Sequence, residues 1–301
     1  MARLKKEAAR LGGSAFSAAT KRAYAHCWSE FEEWCADYGR CALPARPQTL
    51  ELYIVDKLRT LALSSIDQAL AAIVAQHYSA GFESPLTRSV REVMRGARRE
   101  RGSAQKTRAA LSPVHLRTIC RALRARELEA DARDRALMTL GFAAALRVSE
   151  LVALDLADIQ FVRQGMVVSV RRGKTDQEGR GRVAGVFFGI RGYSCPVRSL
   201  RLWLRWRGKQ AGPLFPSGGA SGRLTTRGFC GIVKRLVKLA GLDPRNYGPH
   251  SLRAGFVTAA AEAGVHTTLI MQRTGHRSVQ TVAKYVRPVS IFQTDALARA
   301  L

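Results

Sequence analysis

The chain reads as a mainly α protein of the α+β kind, with a four-helix N-terminal domain and a mostly helical second domain that carries a small antiparallel three-stranded sheet. Three observations predict this. Apolar residues recur every three or four positions through residues 14–101. A polar, basic stretch follows at 102–111, with the composition of a linker. Strand-like patterning is confined to residues 158–188, where it flanks a polar, glycine-rich turn. Two domains also suit a length of 301 residues.

The elements follow in order. Residues 1–13 are read as a tail. Ser17 to Thr20 opens a first helix whose Tyr24, Cys27, Trp28, Phe31 and Trp34 form one apolar stripe, and Gly39 ends it. Because these aromatic residues recur at helix period, they are read as core rather than as base-stacking platforms. Pro47 suits a helix start, with Leu50, Ile54, Leu58 and Leu61 behind it. Ser64-Ser65 opens a third helix that Gly81 stops, and Pro85 to Thr87 opens a fourth. The second domain, 112–301, begins with Ser112-Pro113 capping a helix to about Arg126, followed by a helix over about 131–145 and a short one to Leu154. Strands are expected at 158–162, 165–170 and 182–188, the last two joined by the turn Gly173–Gly181. Helices are then expected over about 196–208, 225–240, 250–263, 267–273, 278–285 and 290–300, with Gly275-His276 opening the penultimate one.

Charge narrows the partner. The 49 Lys+Arg against 23 Asp+Glu give a formal net charge of +26. Residues 1–101 hold 16 basic and 11 acidic residues, so most of the excess lies beyond them. Such a surface repels itself unless it meets a polyanion, and arginine, which far outnumbers lysine, suits bidentate phosphate contacts. Nucleic acid is the expected partner, ahead of an anionic membrane surface; the resemblance given below narrows it to double-stranded DNA. Arg95, Arg98 and Arg99 near the end of the first domain, Lys106 and Arg108 in the linker, and Arg227 and Lys234 in the 225–240 helix are the candidate DNA contacts. No apolar run is long enough for a membrane span, and no apolar segment follows the basic start as a secretory signal would require. The six cysteines lack Cys-x-x-Cys spacing and are read as buried free thiols in a reducing cytoplasm; no metal or other cofactor is expected.

The chemistry-bearing residues lie in the last half. His250-Ser-Leu-Arg253 places an imidazole and a guanidinium one turn apart at a helix start, after Gly248-Pro249. Gly275-His276 and Tyr285 follow, while Arg147 and Lys174 lie upstream. A phosphodiester resists attack because its oxygens are charged, and cations placed there relieve that charge as it grows in the transition state. Tyr285 is a nucleophile candidate whose phenol must lose a proton, which neighbouring cations favour. Lys174, in the hairpin turn, could reach a leaving oxygen. Glu150, three residues after Arg147, could pair with it. Taken singly, each has a plainer reading: a solvated turn lysine, a surface Arg-x-x-Glu pair, a half-buried aromatic. Their ordered co-occurrence points to one phosphate-activating site.

In that order the set resembles the tyrosine recombinase (phage integrase) family: Arg147 in Ala-Leu-Arg-Val-Ser-Glu-Leu, Lys174 in a β-hairpin, His250-Ser-Leu-Arg253, Gly275-His276, then Tyr285. The continuation Ala254-Gly-Phe256 departs from the His-Thr-Phe of many members and is closest in wording to the Cre-like branch, and Thr274 replaces the usual leucine before Gly275-His276. The resemblance implies a core-binding domain at 14–101 and a catalytic domain at 112–301. It implies that Arg147 and Arg253 clamp the scissile phosphate, that His250 and His276 bind its oxygens, and that Lys174 protonates the leaving 5′-oxygen. Tyr285 would form a 3′-phosphotyrosyl link, with Glu150 in support and without metal or ATP. Strand exchange through a Holliday junction on paired sites would follow. The resemblance also implies a homotetramer on DNA. The tail 289–301, with Val289, Ile291, Phe292, Leu297 and Leu301, is expected to form a helix that docks on a neighbouring protomer. With no arm-type domain before residue 14, a simple two-domain recombinase is expected. The rival readings are a catalytically idle DNA-binding protein of the same fold and a type IB topoisomerase-like relaxing enzyme.

Overall fold

The computed structural model describes residues 16–102, 108–125, 128–171, 181–217, 222–276, 278–280 and 282–283. The chain divides into two compact units, residues 1–106 and 107–301, each with its own apolar core.

The first unit holds α1 (Ala18–Asp37), α2 (Pro47–Lys57), α3 (Leu63–Ser79) and α4 (Arg88–Arg101). Ser17 caps α1 by accepting from the Thr20 N–H, and Pro47 sits in the first turn of α2, where its missing N–H costs nothing. α3 starts at Leu63, one residue before the expected Ser64-Ser65, and α4 starts at Arg88, after Thr87 rather than at Pro85. The aromatic stripe is core: Phe31 and Tyr53 are fully buried and meet edge to face at 5.0 Å. His77, also fully buried, ties α3 to the loop before α2, since its Nε2 accepts from the Ala45 N–H at 2.9 Å.

The second unit is α5 (Pro113–Arg124), α6 (Glu129–Ala143), α7 (Val148–Ala153), β1 (Ile159–Val162), β2 (Gly165–Val170), β3 (Arg182–Phe187), α8 (Pro196–Arg207), α9 (Thr226–Leu239), α10 (His250–Glu262) and α11 (Thr267–Thr274). α6 starts and ends two residues before its expected bounds. The sheet is antiparallel in the order β1-β2-β3, and β2 and β3 pair from Gly165↔Phe187 to Val170↔Arg182. Period-two alternation buries Met166, Val168 and Val170 together with Ala184 and Val186, which packs one face of the hairpin on the helices. The turn between β2 and β3, with Lys174, lies outside the described residues.

Two features position the site. The stretch read as linker runs into the second unit's core: the Ala109 N–H bonds the Asn246 carbonyl at 2.8 Å, the Leu111 N–H bonds the Ser251 carbonyl at 2.9 Å, and Leu111 is fully buried. Its composition hid this, because backbone pairing needs no apolar side chain. α10 therefore leans on the Leu111 backbone, and Gly255 allows the approach: a Cβ there would stand 2.0 Å from the Leu111 carbonyl oxygen. A separate apolar cluster of Val257, Ala261, Ile270 and Val282 joins α10, α11 and the chain beyond them. Val282 is three residues before Tyr285, and Tyr285 and the tail 289–301 lie outside the described residues.

Among the described residues no helix is long and apolar enough to cross a membrane. All six cysteines are free thiols; Cys35, Cys120 and Cys195 are buried and Cys41 is exposed.

Candidate active site

Arg147 is the cap residue of α7, and its own backbone N–H bonds Glu150 Oε2 at 3.0 Å, the backward-reaching half of a capping box. The same carboxylate takes Arg147 Nη1 on Oε1 at 2.7 Å, and Arg182 Nη2, from the first residue of β3, on Oε2 at 2.9 Å. Glu150 is thus a buried carboxylate between two guanidinium groups, its side chain 1% exposed. Burial pushes its pKa up, but the Arg147 backbone N–H and the Arg182 charge outweigh burial and hold the carboxyl below the usual range. The expected Arg147–Glu150 pair is therefore a structural hinge of the site rather than a solvated surface pair.

Arg253 arrives from α10, one turn after His250, and is buried. Its Nη1 donates to the Ala145 carbonyl at 2.8 Å and its Nη2 to the Thr274 carbonyl at 2.5 Å. Ala145 has φ 50, a left-handed conformation that costs a residue with a Cβ about 1–2 kcal/mol. That turn aims the Ala145 carbonyl at Arg253 while Arg147, two residues on, begins α7. Gly275 closes α11 instead of opening a helix; its φ of 66 suits the C-terminal cap, and its backbone N–H bonds the Met271 carbonyl. Sequence spacing could not tell a closing glycine from an opening one. The Gly275 carbonyl then receives Arg147 Nη2 at 3.3 Å.

His276 lies between these groups. Arg253 Nη2 is 3.1 Å from its Nε2, and Thr274 Oγ1 is 2.7 Å from its Nδ1. The Thr274 hydroxyl has one proton, and it goes to the Ile270 carbonyl at 2.7 Å. His276 Nδ1 must then carry the hydrogen and donate it to Thr274, which leaves the Nε2 lone pair facing Arg253. Burial, and then the charges of Arg253, Arg147 and Arg182, push the His276 pKa down to about 4. The ring is neutral near pH 7.

Of the six residues singled out from sequence, the structure brings together Arg147, Arg253 and His276, with Glu150 beneath them. His250 is exposed at the first position of α10, one turn before Arg253. Lys174 and Tyr285 lie outside the described residues. Sequence reading missed three participants. Arg182 spans Glu150 and the Arg273 carbonyl, the latter at 2.8 Å. Arg273 donates to the Ala143 carbonyl at 2.8 Å and lies 5.7 Å over the Phe256 ring. Thr274 fixes the His276 tautomer. Arg182 follows the hairpin turn and Arg273 precedes Thr274-Gly275, but neither stands in a pattern that marks it out from other arginines.

The candidate DNA contacts divide. Arg95, Arg98 and Arg99 are exposed on α4, with Arg98 paired to Asp67 at 2.6 Å. Arg227 and Lys234 are exposed on α9, seven residues and so about two turns apart on one face. Arg108 is engaged by the Arg245 carbonyl, and Lys106 lies outside the described residues.

The chain is 34% identical over 291 residues to an integrase/recombinase XerD homolog of Selenomonas ruminantium, covering 93% of this chain and 84% of that protein. It is 30% identical over 181 residues to the tyrosine recombinase XerD of Rickettsia bellii, spanning only 55% of that protein's length. Two solved structures share the fold: the Tn1549 transposon integrase in complex with transposon right end DNA (TM-score 0.69, 16% identity, 98% of each chain covered) and the XerH site-specific recombinase bound to difH substrate (TM-score 0.62, 17% identity, 88% of this chain and 76% of that one). The family model described as the phage integrase family matches residues 110–290, more than half of the sequence, and the chain belongs to that family, the tyrosine recombinases.

Proposed function

We propose that this protein is a site-specific DNA recombinase that cuts and rejoins duplex DNA through a 3′-phosphotyrosyl intermediate at Tyr285. One observation carries the reading: Arg147 and Arg253, from different helices, are fixed beside His276 by the carbonyls of Ala145, Thr274 and Gly275. Such a cluster of cations, held in place before substrate arrives, stabilises charge developing on a phosphate at little reorganisation cost. In the reaction Arg147 and Arg253 hold the non-bridging oxygens, His250 completes the cradle, His276 keeps Arg253 in place as a hydrogen-bond acceptor, and Lys174 gives its proton to the leaving 5′-oxygen. The Tyr285 phenol passes its proton to His250 and attacks phosphorus; the P–O5′ bond breaks as the P–O(tyrosine) bond forms. Because the covalent link conserves the phosphodiester's energy, religation by a partner strand's 5′-hydroxyl needs no ATP. Two such exchanges pass through a Holliday junction.

The reading extends to the assembly. Unit 1 and the basic faces of α4 and α9 track the DNA backbone, four copies act on two paired sites, and segment 289–301 docks on a neighbouring copy. The work is done in the cytoplasm, on the nucleoid. The wording of 250–256 supports placement near the Cre-like branch. The XerD names borne by the relatives and the DNA in the matched structures favour recombination over simple relaxation.

A nicked suicide substrate tests the reading. Wild-type protein is expected to accumulate a covalent DNA adduct that Tyr285→Phe abolishes while duplex binding stays within about twofold. An adduct that survives Tyr285→Phe overturns it.

A further inference from the structure

Among the described residues, Arg135, on α6, is a buried cation with no carboxylate paired to it. It is 8% exposed, its Nε is buried with no hydrogen-bond partner, and among the described residues no carboxylate lies within ion-pair distance of it. The acids around it do not supply one. Asp134 is held by Arg133 at 3.0 Å and by Arg235. The neighbouring Cys120 thiol is pushed up to about 12 by burial and so is neutral. Arg124, on α5, adds a second positive charge, and burial with that repulsion lowers the Arg135 pKa. An unpaired charge in such a place is destabilising.

Arg135 also lines a cavity of about 310 Å³ between α5, α6 and α8. Arg124 also lines it, and the rest is apolar: Leu123, Leu128, Ala132, Leu202 and Trp206. Leu128 and Trp206 are 51% and 53% exposed, a large apolar expense at a free surface. Apolar walls around one buried guanidinium suit an anion with a hydrophobic body, and suit a run of sugar–phosphate poorly.

We propose that this cavity is a binding site for a small amphipathic monoanion, an aryl or acyl carboxylate, whose carboxylate pairs with Arg135 and whose apolar part lies against Leu128, Leu202 and Trp206. The ligand supplies the missing counter-ion, and Arg124 at the rim draws it in. None of these residues belongs to the Arg147–Arg253–His276 cluster, so the site is separate from the chemistry proposed above.

The probe is 4-phenylbutyrate, titrated into the full chain by calorimetry and by ligand-observed NMR, beside its neutral analogue 4-phenylbutanol. The acid is expected to bind at least tenfold more tightly than the alcohol and at least tenfold more weakly to Arg135→Met. Trp206→Ala, a change at an exposed side chain, is expected to weaken it about fivefold, so the test survives if Arg135→Met folds poorly. Without ligand, Arg135→Met is expected to unfold at a higher temperature than wild type, since it removes the unpaired charge. Equal affinity for acid and alcohol, unchanged affinity in both variants, or no binding by the wild type overturns the proposal. Displacement of the acid by a short duplex, one for one, also overturns it and assigns the cavity to DNA.

Discussion

Arg253 Nη2 stands 3.1 Å from His276 Nε2, and because Thr274 takes the hydrogen on Nδ1, the imidazole meets the guanidinium as an acceptor. The two residues come from α10 and from the turn after α11, and each limits the other. Burial and then the Arg253 charge keep His276 neutral, while His276 and two carbonyls keep Arg253 in one rotamer.

That relationship sets a pH dependence. The unfolded chain protonates His276 near 6.5, whereas the folded chain resists protonation until about 4. Between those values the unfolded state binds more protons, so folding stability falls as pH drops from 6.5 toward 4, and this contribution then levels off. Glu150, whose folded pKa is lowered, adds its own loss only at lower pH, as its carboxylate protonates. Urea denaturation from pH 7 to 4.5 is expected to show a shallower decline for His276→Asn than for wild type; parallel declines would contradict the assigned ring environment.

Glu150→Gln is expected to lower stability by about 2–3 kcal/mol, because two guanidinium groups lose the charge that holds them. Covalent adduct formation should fall at least tenfold as Arg147 leaves the Gly275 carbonyl. Denaturation and a single-turnover cleavage assay measure the two effects.

Arg182→Lys should not restore what Arg182→Met loses. Arg182 uses Nη1 on the Arg273 carbonyl and Nη2 on Glu150, a two-armed contact that one ammonium cannot copy. Both variants are expected to cleave about tenfold more slowly with duplex affinity within about threefold of wild type. Full activity in Arg182→Lys would show that charge alone suffices.

Two glycine-to-alanine changes should have opposite signs. Gly255→Ala drives a Cβ to 2.0 Å from the Leu111 carbonyl oxygen and is expected to cost at least about 1–3 kcal/mol. Gly96→Ala, in exposed α4 with nothing within 4 Å, is expected to stabilise by about 0.5–1 kcal/mol. Thermal unfolding separates them.

What the sequence revealed and what it hid follow one physical line. Helices announced themselves through local periodicity, as Phe31 and Trp34 did for α1, and the hairpin through alternation on either side of a glycine-rich turn. Arg147, His250, Arg253 and His276 stood out because each lies in a short recognisable context. Arg182, Arg273 and Thr274 did not, because what defines them are contacts with carbonyls and side chains remote in the chain: Arg182 reaches back to Glu150, and Arg273 to the Ala143 carbonyl. Gly275 was seen but misplaced, since a positive φ at a helix end leaves no mark in spacing. Ala109 and Leu111 hid in a basic stretch because their ties to the core are made by backbone.

The central claim is that one hydroxyl, that of Tyr285, becomes bonded to DNA. Peptide mapping of the adduct trapped on a nicked duplex measures it most directly. The account predicts a single tryptic peptide carrying a 3′-phosphonucleotide on Tyr285. A nucleotide on any other residue, or a link through a 5′-phosphate, would contradict it.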